Sequence, residues 1–164
     1  MQRLWSALVK FVLLATIGGA LLLAFVIVMA NRQLPSLDAL TAFRDSPGYV
    51  KIADFPHNLP EAVVAIEDDR FYLHDGVDYV GAMRAGIANL SDDLSQGAST
   101  ITMQVARNFY LSRQKTYTRK LYEILLAYRI ENALSKDEIL EIYLNKIYLG
   151  QGAYGFGEAA ETYF

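Results

Sequence analysis

Hydrophobic and polar positions divide this chain into an apolar N-terminal stretch and a longer part with helical periodicity. Residues 11–30 are twenty consecutive positions without a charge. At about 1.5 Å per residue, a helix of that length spans the roughly 30 Å hydrocarbon core of a bilayer. A buried core helix would instead show an amphipathic stripe. The pattern therefore predicts a short head at 1–10 and a single transmembrane helix at 11–30.

The charged residues that flank this helix indicate its orientation. Arg3 and Lys10 precede it and Arg32 follows it, a small cationic excess that favours a cytoplasmic N-terminus. A cleavable signal peptide is the alternative, but its apolar core is usually about 7–15 residues long and ends at a small-residue site. No convincing A-x-A site follows Ala30. We expect an uncleaved anchor, with the chain after residue 33 outside the cytoplasm.

Proline positions predict a connector between this anchor and a helical region. All four prolines lie between residues 35 and 60, so the segment 31–60 cannot form one long helix. Residues 49–53 are rich in strand-forming side chains and are expected to form one short strand.

Beyond the connector, apolar residues recur at spacings of three and four, which predicts a mainly α domain over 61–164. One of its helices is expected at about 118–134. Ser135 and Glu138 have the spacing of a capping box, and Ser99 is placed to cap another helix. The predicted fold class is therefore mainly α, behind a single N-terminal transmembrane helix.

Composition narrows the possible functions of the chain. Of 164 residues, 53% are hydrophobic and 20% are charged, the net charge is −3, and there is no cysteine. Intrinsic disorder, a disulfide scaffold and a thiolate metal site are therefore excluded. The mild acidity argues against nucleic acid as a partner. The chain has no GxxxxGK, HExxH or GxSxG motif and only two histidines, so neither a serine triad nor a histidine-bound zinc is expected.

Three adjacent acids, Glu67, Asp68 and Asp69, form the first candidate site. They close a predicted helix, where their charge opposes the helix dipole. A carboxylate held there and partly desolvated can act as a general base or acid. The alternative is a solvated helix end followed by a turn, with His74 hydrogen-bonded to that turn.

The second and third candidates are suited to anions. Gly97 and Ala98 precede Ser99 and Thr100 at a predicted helix start, which offers N–H groups and hydroxyls to an anion or is an ordinary N-cap. Between Leu94 and Tyr122 there are five bases and no acid. They can form surface ion pairs, bind single-stranded nucleic acid, or bind a phosphate-bearing lipid, which suits an anchored, outward-facing chain best. The bases are Arg107, Arg113, Lys115, Arg119 and Lys120.

Taken together and in order, four segments resemble the peptidoglycan glycosyltransferases of family 51, found in monofunctional transglycosylases and in class A penicillin-binding proteins. That family is lysozyme-like and mainly α. Its domains continue beyond a Tyr-Phe like Tyr163-Phe164, so the resemblance implies a C-terminally incomplete domain. The segments are AIEDDRFYLHDGVD (65–78), QGASTITMQVARNFYL (96–111), RKLYEILLAYRIE (119–131) and SKDEILEIYLNKIYLGQGAYGFGEAAETYF (135–164).

The resemblance implies polymerisation of lipid II into β-1,4 glycan strands with inversion, releasing undecaprenyl pyrophosphate. The expected partners are lipid II, the growing lipid-linked glycan strand, the membrane and cell-wall synthesis proteins. The expected place is the outer, periplasmic face of the bacterial cytoplasmic (inner) membrane. A divalent metal ion, Mg or Mn, is implied by the resemblance only, with no ligands assigned.

The resemblance also assigns roles to residues of this chain. Glu67 matches the catalytic general base. Glu123 matches a second catalytic glutamate that orients cations or helps to hold a metal ion. Phe71, His74 and Gly76 match loop-shaping positions. Residues that match substrate-binding positions are Ser99, Thr100, Gln104, Arg107, Asn108, Arg119 and Lys120.

Two other functions are compatible with these residues. A lysozyme-like lytic enzyme would use the same glutamate as an acid to cleave glycan, although the basic stretch has no obvious purpose there. An inactive lipid II-binding scaffold would keep the anion-binding residues without turnover.

Overall fold

The computed structural model describes residues 2–91, 99–111 and 117–164, and most of them are helical. The chain separates into two compact units, one ending at Leu34 and the other running from Pro35 to Phe164. The described residues of the second unit contain no β-strand, and one isolated antiparallel bridge joins Tyr148 to Tyr154. The mainly α fold class predicted from the sequence is confirmed.

The first unit is one helix, α1, which runs from Gln2 to Arg32. It contains the apolar stretch Leu8–Arg32, which is 25 residues long. The most apolar part of this stretch has a mean hydropathy of 2.8 and is not buried within the chain. By length and composition it can cross a membrane, and it includes the predicted span 11–30. Many of its leucines and valines are exposed.

The connector contains two short helical pieces: α2, Asp38–Arg44, and a 3₁₀ turn, Ile52–Asp54. The strand expected at 49–53 is wrong. The side chain of Asn145 forms hydrogen bonds with both backbone groups of Val50. Its Oδ1 accepts the Val50 N–H at 2.9 Å, and its Nδ2 donates to the Val50 carbonyl at 2.8 Å. The backbone of Val50 is thus satisfied by a side chain, as a neighbouring strand would have satisfied it.

The remaining helices form the body of the second unit. Its core is built where α5 packs on α6 and α7, with α8 against α7. Side chains with almost no exposure fill these contacts, among them Val105, Leu126, Ile130 and Ile142. The bounds are α3 Asn58–Glu67, a 3₁₀ turn Phe71–Leu73, α4 Tyr79–Ser91, α5 Ile101–Tyr110, α6 Tyr117–Ala133, α7 Lys136–Lys146 and α8 Gly155–Tyr163.

The N-terminal caps of α7 and α5 can be compared with the caps predicted from the sequence. The capping box predicted at Ser135 and Glu138 is present at the start of α7, with both reciprocal hydrogen bonds. At α5 the cap is Thr100 rather than the expected Ser99: its Oγ1 accepts the Met103 N–H at 3.2 Å. Sequence rules identified the start of α5 to within one residue.

Gly76 allows the loop after α3 to approach α6. It has a φ of +93°, and a Cβ at this position would lie 3.1 Å from the Ala127 backbone carbon and from Cγ of Glu131. A side chain would therefore meet both backbone strain and a close contact. The glycine brings the loop that follows Glu67 onto the helix that carries Glu123.

Candidate functional site

The three acids at the end of α3 have different environments. Glu67 is the last residue of the helix and its side chain is exposed. Asp68 follows as the C-cap and is 6% exposed, and Asp69 is exposed again. Of the three acids, the desolvated one is Asp68, because the chain turns at this residue and directs its side chain inward, whereas Glu67 stays exposed.

Asp68 ties the loop to the start of α5. One of its oxygens, Oδ2, accepts the Ile101 N–H at 3.0 Å, and its carboxylate lies 3.0 Å from Nε2 of His74. Both side chains are buried, at 3% and 6% exposure. An acid that receives a backbone N–H from the first turn of a helix also complements the helix dipole. The pair therefore fixes where α5 begins relative to the residue next to Glu67.

Gln104 holds the Glu67 carboxylate from the second turn of α5. Its Nε2 donates to Oε2 of Glu67 at 2.9 Å. Its Oε1 accepts from the Tyr143 hydroxyl of α7 at 3.4 Å. A carboxylate that keeps access to solvent and has one neutral donor can still accept a proton from a bound hydroxyl group.

Glu67 lines a cleft of about 310 Å³ between the end of α3, the start of α4 and residues 99–100. Arg84 lies in the cleft 3.3 Å from Asp69, with both side chains more than half exposed. Sequence reasoning missed Arg84, since a lone arginine in a helix has no distinguishing signal.

Asp78 stabilises the wall of this cleft at the start of α4. Its Oδ1 accepts the Gly81 N–H at 2.9 Å, and its Oδ2 lies 3.2 Å from Nε of Arg70. Burial alone would raise the pKa of Asp78, but the Gly81 N–H and the Arg70 charge outweigh it, so this pKa lies below its ordinary value.

The cationic part of the site is built on α6 around Glu123. Glu123 is completely buried, and its two oxygens lie 3.2 Å from Nε of Arg119 and 3.3 Å from Nζ of Lys120. The Lys120 ammonium also donates to Oγ of Ser99 at 3.0 Å. Because Ser99 lines the cleft, this bond connects the cations of α6 with the cleft that contains Glu67.

The remaining predicted site residues differ in their burial and in their hydrogen bonds. The Thr100 hydroxyl caps α5 and donates to the Gly76 carbonyl at 2.6 Å, so two protein groups already occupy it. Phe71 is fully buried, with the Lys136 ammonium 4.4 Å from its ring centroid. Arg107 is half-buried on α5 and Asn108 is exposed. Gly97, Ala98, Arg113 and Lys115 lie outside the described residues.

The described residues do not fit a divalent ion held by protein ligands alone. Within 2–91, 99–111 and 117–164 there is no group of three or more histidine or acidic side chains that could hold one. Glu123, the acid with a suggested metal role, is already engaged with two cations.

Comparison with known proteins identifies the family of the chain. The Transglycosylase family profile matches residues 36–164. The “Putative transglycosylase” of Cupriavidus necator is 75% identical over 164 residues, which is all of this chain and 71% of that protein. Penicillin-binding protein 1A of Neisseria gonorrhoeae is 49% identical over 167 aligned residues, covering 89% of this chain and 21% of that protein. The Neisseria lactamica protein of the same name is 50% identical, with 87% and 21% covered.

Proposed function

Because this chain belongs to the Transglycosylase family, we propose that it is a membrane-anchored peptidoglycan glycosyltransferase that polymerises lipid II. The chain spans only about a fifth of the length of the penicillin-binding relatives. The proposal therefore concerns the chemistry of the site described above.

One observation carries the proposal: a solvent-accessible carboxylate and a cationic cluster meet at one cleft. Glu67 enters it from α3, and Lys120 reaches its edge through Ser99. A glycosyl transfer from a pyrophosphate donor needs both groups, a base for the acceptor and positive charge for the leaving group.

In the proposed step, Glu67 removes the proton from the 4-hydroxyl of lipid II, the acceptor. The oxygen attacks C1 of the terminal sugar of the growing strand while the bond from C1 to the pyrophosphate oxygen breaks. The electron pair of that bond leaves with undecaprenyl pyrophosphate, and the proton stays on Glu67. A single displacement converts the α-linked donor into a β-1,4 product, as in inverting glycosidases with an alcohol in place of water.

Arg119 and Lys120 are proposed to neutralise the departing pyrophosphate. Glu123 lies within 3.3 Å of both cations and is itself buried. It can hold their long side chains in place, which reduces the reorganisation needed when negative charge develops on the leaving group. Its proposed role is therefore orientation of the cations.

The anchor fits this substrate, because lipid II and the growing strand are both lipids of the same bilayer. We propose that α1 crosses the cytoplasmic membrane once with its N-terminus inside, leaving the glycosyltransferase domain on the outer face. For a divalent ion, we propose that the substrate pyrophosphate supplies most of the ligands, as phosphates commonly do for Mg²⁺.

Polymerisation of purified, labelled lipid II by the full chain in detergent tests this function. Glu67→Gln should lower the rate by about 10²–10⁴-fold, the usual contribution of a general base. Glu61→Gln is the matched control, since Glu61 lies on the same helix with an exposed side chain, 3.6 Å from the exposed ring of His57. Retained polymerisation by Glu67→Gln would contradict the proposal.

The same protein preparation distinguishes the two alternatives. Release of soluble muropeptides from sacculi would support a lytic enzyme instead. Binding of lipid II without turnover, at any concentration of Mg²⁺ or Mn²⁺, would support a scaffold.

A further inference from the structure

Gln104 lies between two side chains from different helices, Glu67 of α3 and Tyr143 of α7. Its amide nitrogen donates to the Glu67 carboxylate at 2.9 Å, and its amide oxygen accepts from the Tyr143 hydroxyl at 3.4 Å. The three side chains form a chain of two hydrogen bonds that starts at the buried Tyr143 hydroxyl and ends at the exposed Glu67 carboxylate. This arrangement is separate from the cationic cluster on α6.

The two ends of the glutamine amide are chemically different, and the order of donors matters. An ionised carboxylate only accepts hydrogen bonds, so it needs the NH₂ end of Gln104. If the amide turned over, its oxygen would face the carboxylate and repel it. A hydroxyl that donates to the amide oxygen prevents this, because it stabilises only the orientation that presents NH₂ to Glu67.

Tyr143 is suited to hold this orientation. It is 1% exposed in the middle of α7, so its ring is fixed by packing on every side. Burial raises the pKa of Tyr143, and the negative charge of Glu67 adds to this effect while Arg107 opposes it. The hydroxyl therefore stays protonated and remains a donor throughout the working pH range.

We propose that Tyr143 is a positioning residue for the general base and acts through the Gln104 amide. The proposal rests on the proposed function of Glu67. It also changes the expected role of Gln104, from a substrate contact to the group that orients the carboxylate. Neither residue needs to touch the reacting atoms for this role.

Steady-state kinetics of lipid II polymerisation test the proposal with a change of one oxygen atom. Tyr143→Phe should lower kcat by about 3- to 10-fold, the effect of losing one neutral hydrogen bond, and leave KM for lipid II unchanged. Tyr110→Phe is the matched control, because Tyr110 is a partly buried tyrosine at the far end of α5. A raised KM with unchanged kcat for Tyr143→Phe would overturn the proposal.

A double-mutant cycle separates positioning from general damage to the fold. Gln104→Leu should lower kcat at least as much as Tyr143→Phe, and the double variant should show no further loss, since the hydroxyl acts only through the amide. Losses that multiply in the double variant would contradict the proposal. Thermal unfolding of each variant shows whether the chain remains folded.

A spectroscopic measurement keeps this inference distinct from the proposed function. With ¹⁵N-glutamine labelling, the side-chain amide signal of Gln104 is assigned by its loss in Gln104→Leu. It should shift in Tyr143→Phe and in Glu67→Gln but not in Tyr110→Phe. An unmoved signal in Tyr143→Phe overturns the inference even if the wild-type chain polymerises lipid II. If the wild-type chain shows no turnover, the proposed function fails and this signal alone decides the inference.

Discussion

Glu67 and Glu123 are both glutamates of the candidate site, and their surroundings are opposite. Glu67 is exposed at a helix end with one neutral donor, Gln104, on its carboxylate. Glu123 is buried in a helix interior within 3.3 Å of two cations. A buried carboxylate that bridges two cations can orient them, whereas an exposed carboxylate with a neutral partner remains accessible to a bound hydroxyl group. The contrast supports proton transfer at Glu67 and cation orientation at Glu123.

The largest expected change in stability is at Glu123. Glu123→Gln keeps the shape but leaves Arg119 and Lys120 without their shared carboxylate. Removing one partner of a buried ion pair typically costs about 3–5 kcal/mol. We expect about 2 kcal/mol of unfolding free energy here, because Lys120 keeps 41% of its side chain exposed to water.

Denaturant unfolding in detergent measures this loss, with Glu61→Gln as a surface control. A stability equal to that of the wild type would show that the buried charge is not held by its cations.

A smaller loss is expected at Asp78, on the Glu67 side of the site. Asp78→Ala removes the cap of α4 and should cost about 1 kcal/mol at neutral pH. Since the pKa of Asp78 is lower in the folded chain, its contribution is complete above the unfolded value near 4 and is lost as pH falls through the lower folded value. The stability difference between wild type and variant should therefore shrink in acid. Thermal unfolding from pH 3 to 7 measures it, and a difference that grows in acid would contradict this assignment.

Lys120→Ala should affect the polymerisation kinetics more than the stability of the chain. Arg119 still lies 3.2 Å from the buried Glu123 carboxylate in this variant, and the lost Lys120 side chain is 41% exposed, so the loss of unfolding free energy should be smaller than in Glu123→Gln, below about 1 kcal/mol. The kcat/KM for lipid II should fall, since the cation proposed to neutralise the departing pyrophosphate is lost. The fall in kcat/KM should be greater at low salt, where charge interactions are less screened. Kinetics at two ionic strengths test this, and an unchanged kcat/KM would remove Lys120 from the substrate site.

The smallest expected effect on stability is at Glu67 itself. Glu67→Ala should change the unfolding free energy by no more than about 0.5 kcal/mol, since the side chain is exposed. The same variant should lose polymerisation. If it destabilised the chain as much as Glu123→Gln, the contrast between the two glutamates would disappear.

Features set by neighbouring residues in the chain were predictable from the sequence. The capping box of Ser135 and Glu138 is one, since both partners lie within one helical turn. The long apolar helix α1 is another, because its length and composition alone make it able to cross a membrane. The mainly α domain follows from periodicity that persists over many turns.

Features that depend on distant partners were not predictable. Residues 49–53 have the composition of a strand, but Asn145, about ninety-five positions away, binds the Val50 backbone. The burial of Asp68 instead of Glu67 depends on Ile101 and His74. Likewise, nothing near Tyr143 in the chain indicates that its hydroxyl reaches Gln104.

The bond from the Ile101 N–H to Asp68 also has a consequence for how the chain tolerates changes in length. Asp68 is adjacent to Glu67, and Ile101 is three residues before Gln104. A short ring of covalent and hydrogen bonds therefore aligns the Gln104 amide with the Glu67 carboxylate. Each residue of an α-helix turns it by about 100°. One residue inserted between Ile101 and Gln104 would therefore turn the amide away from the carboxylate.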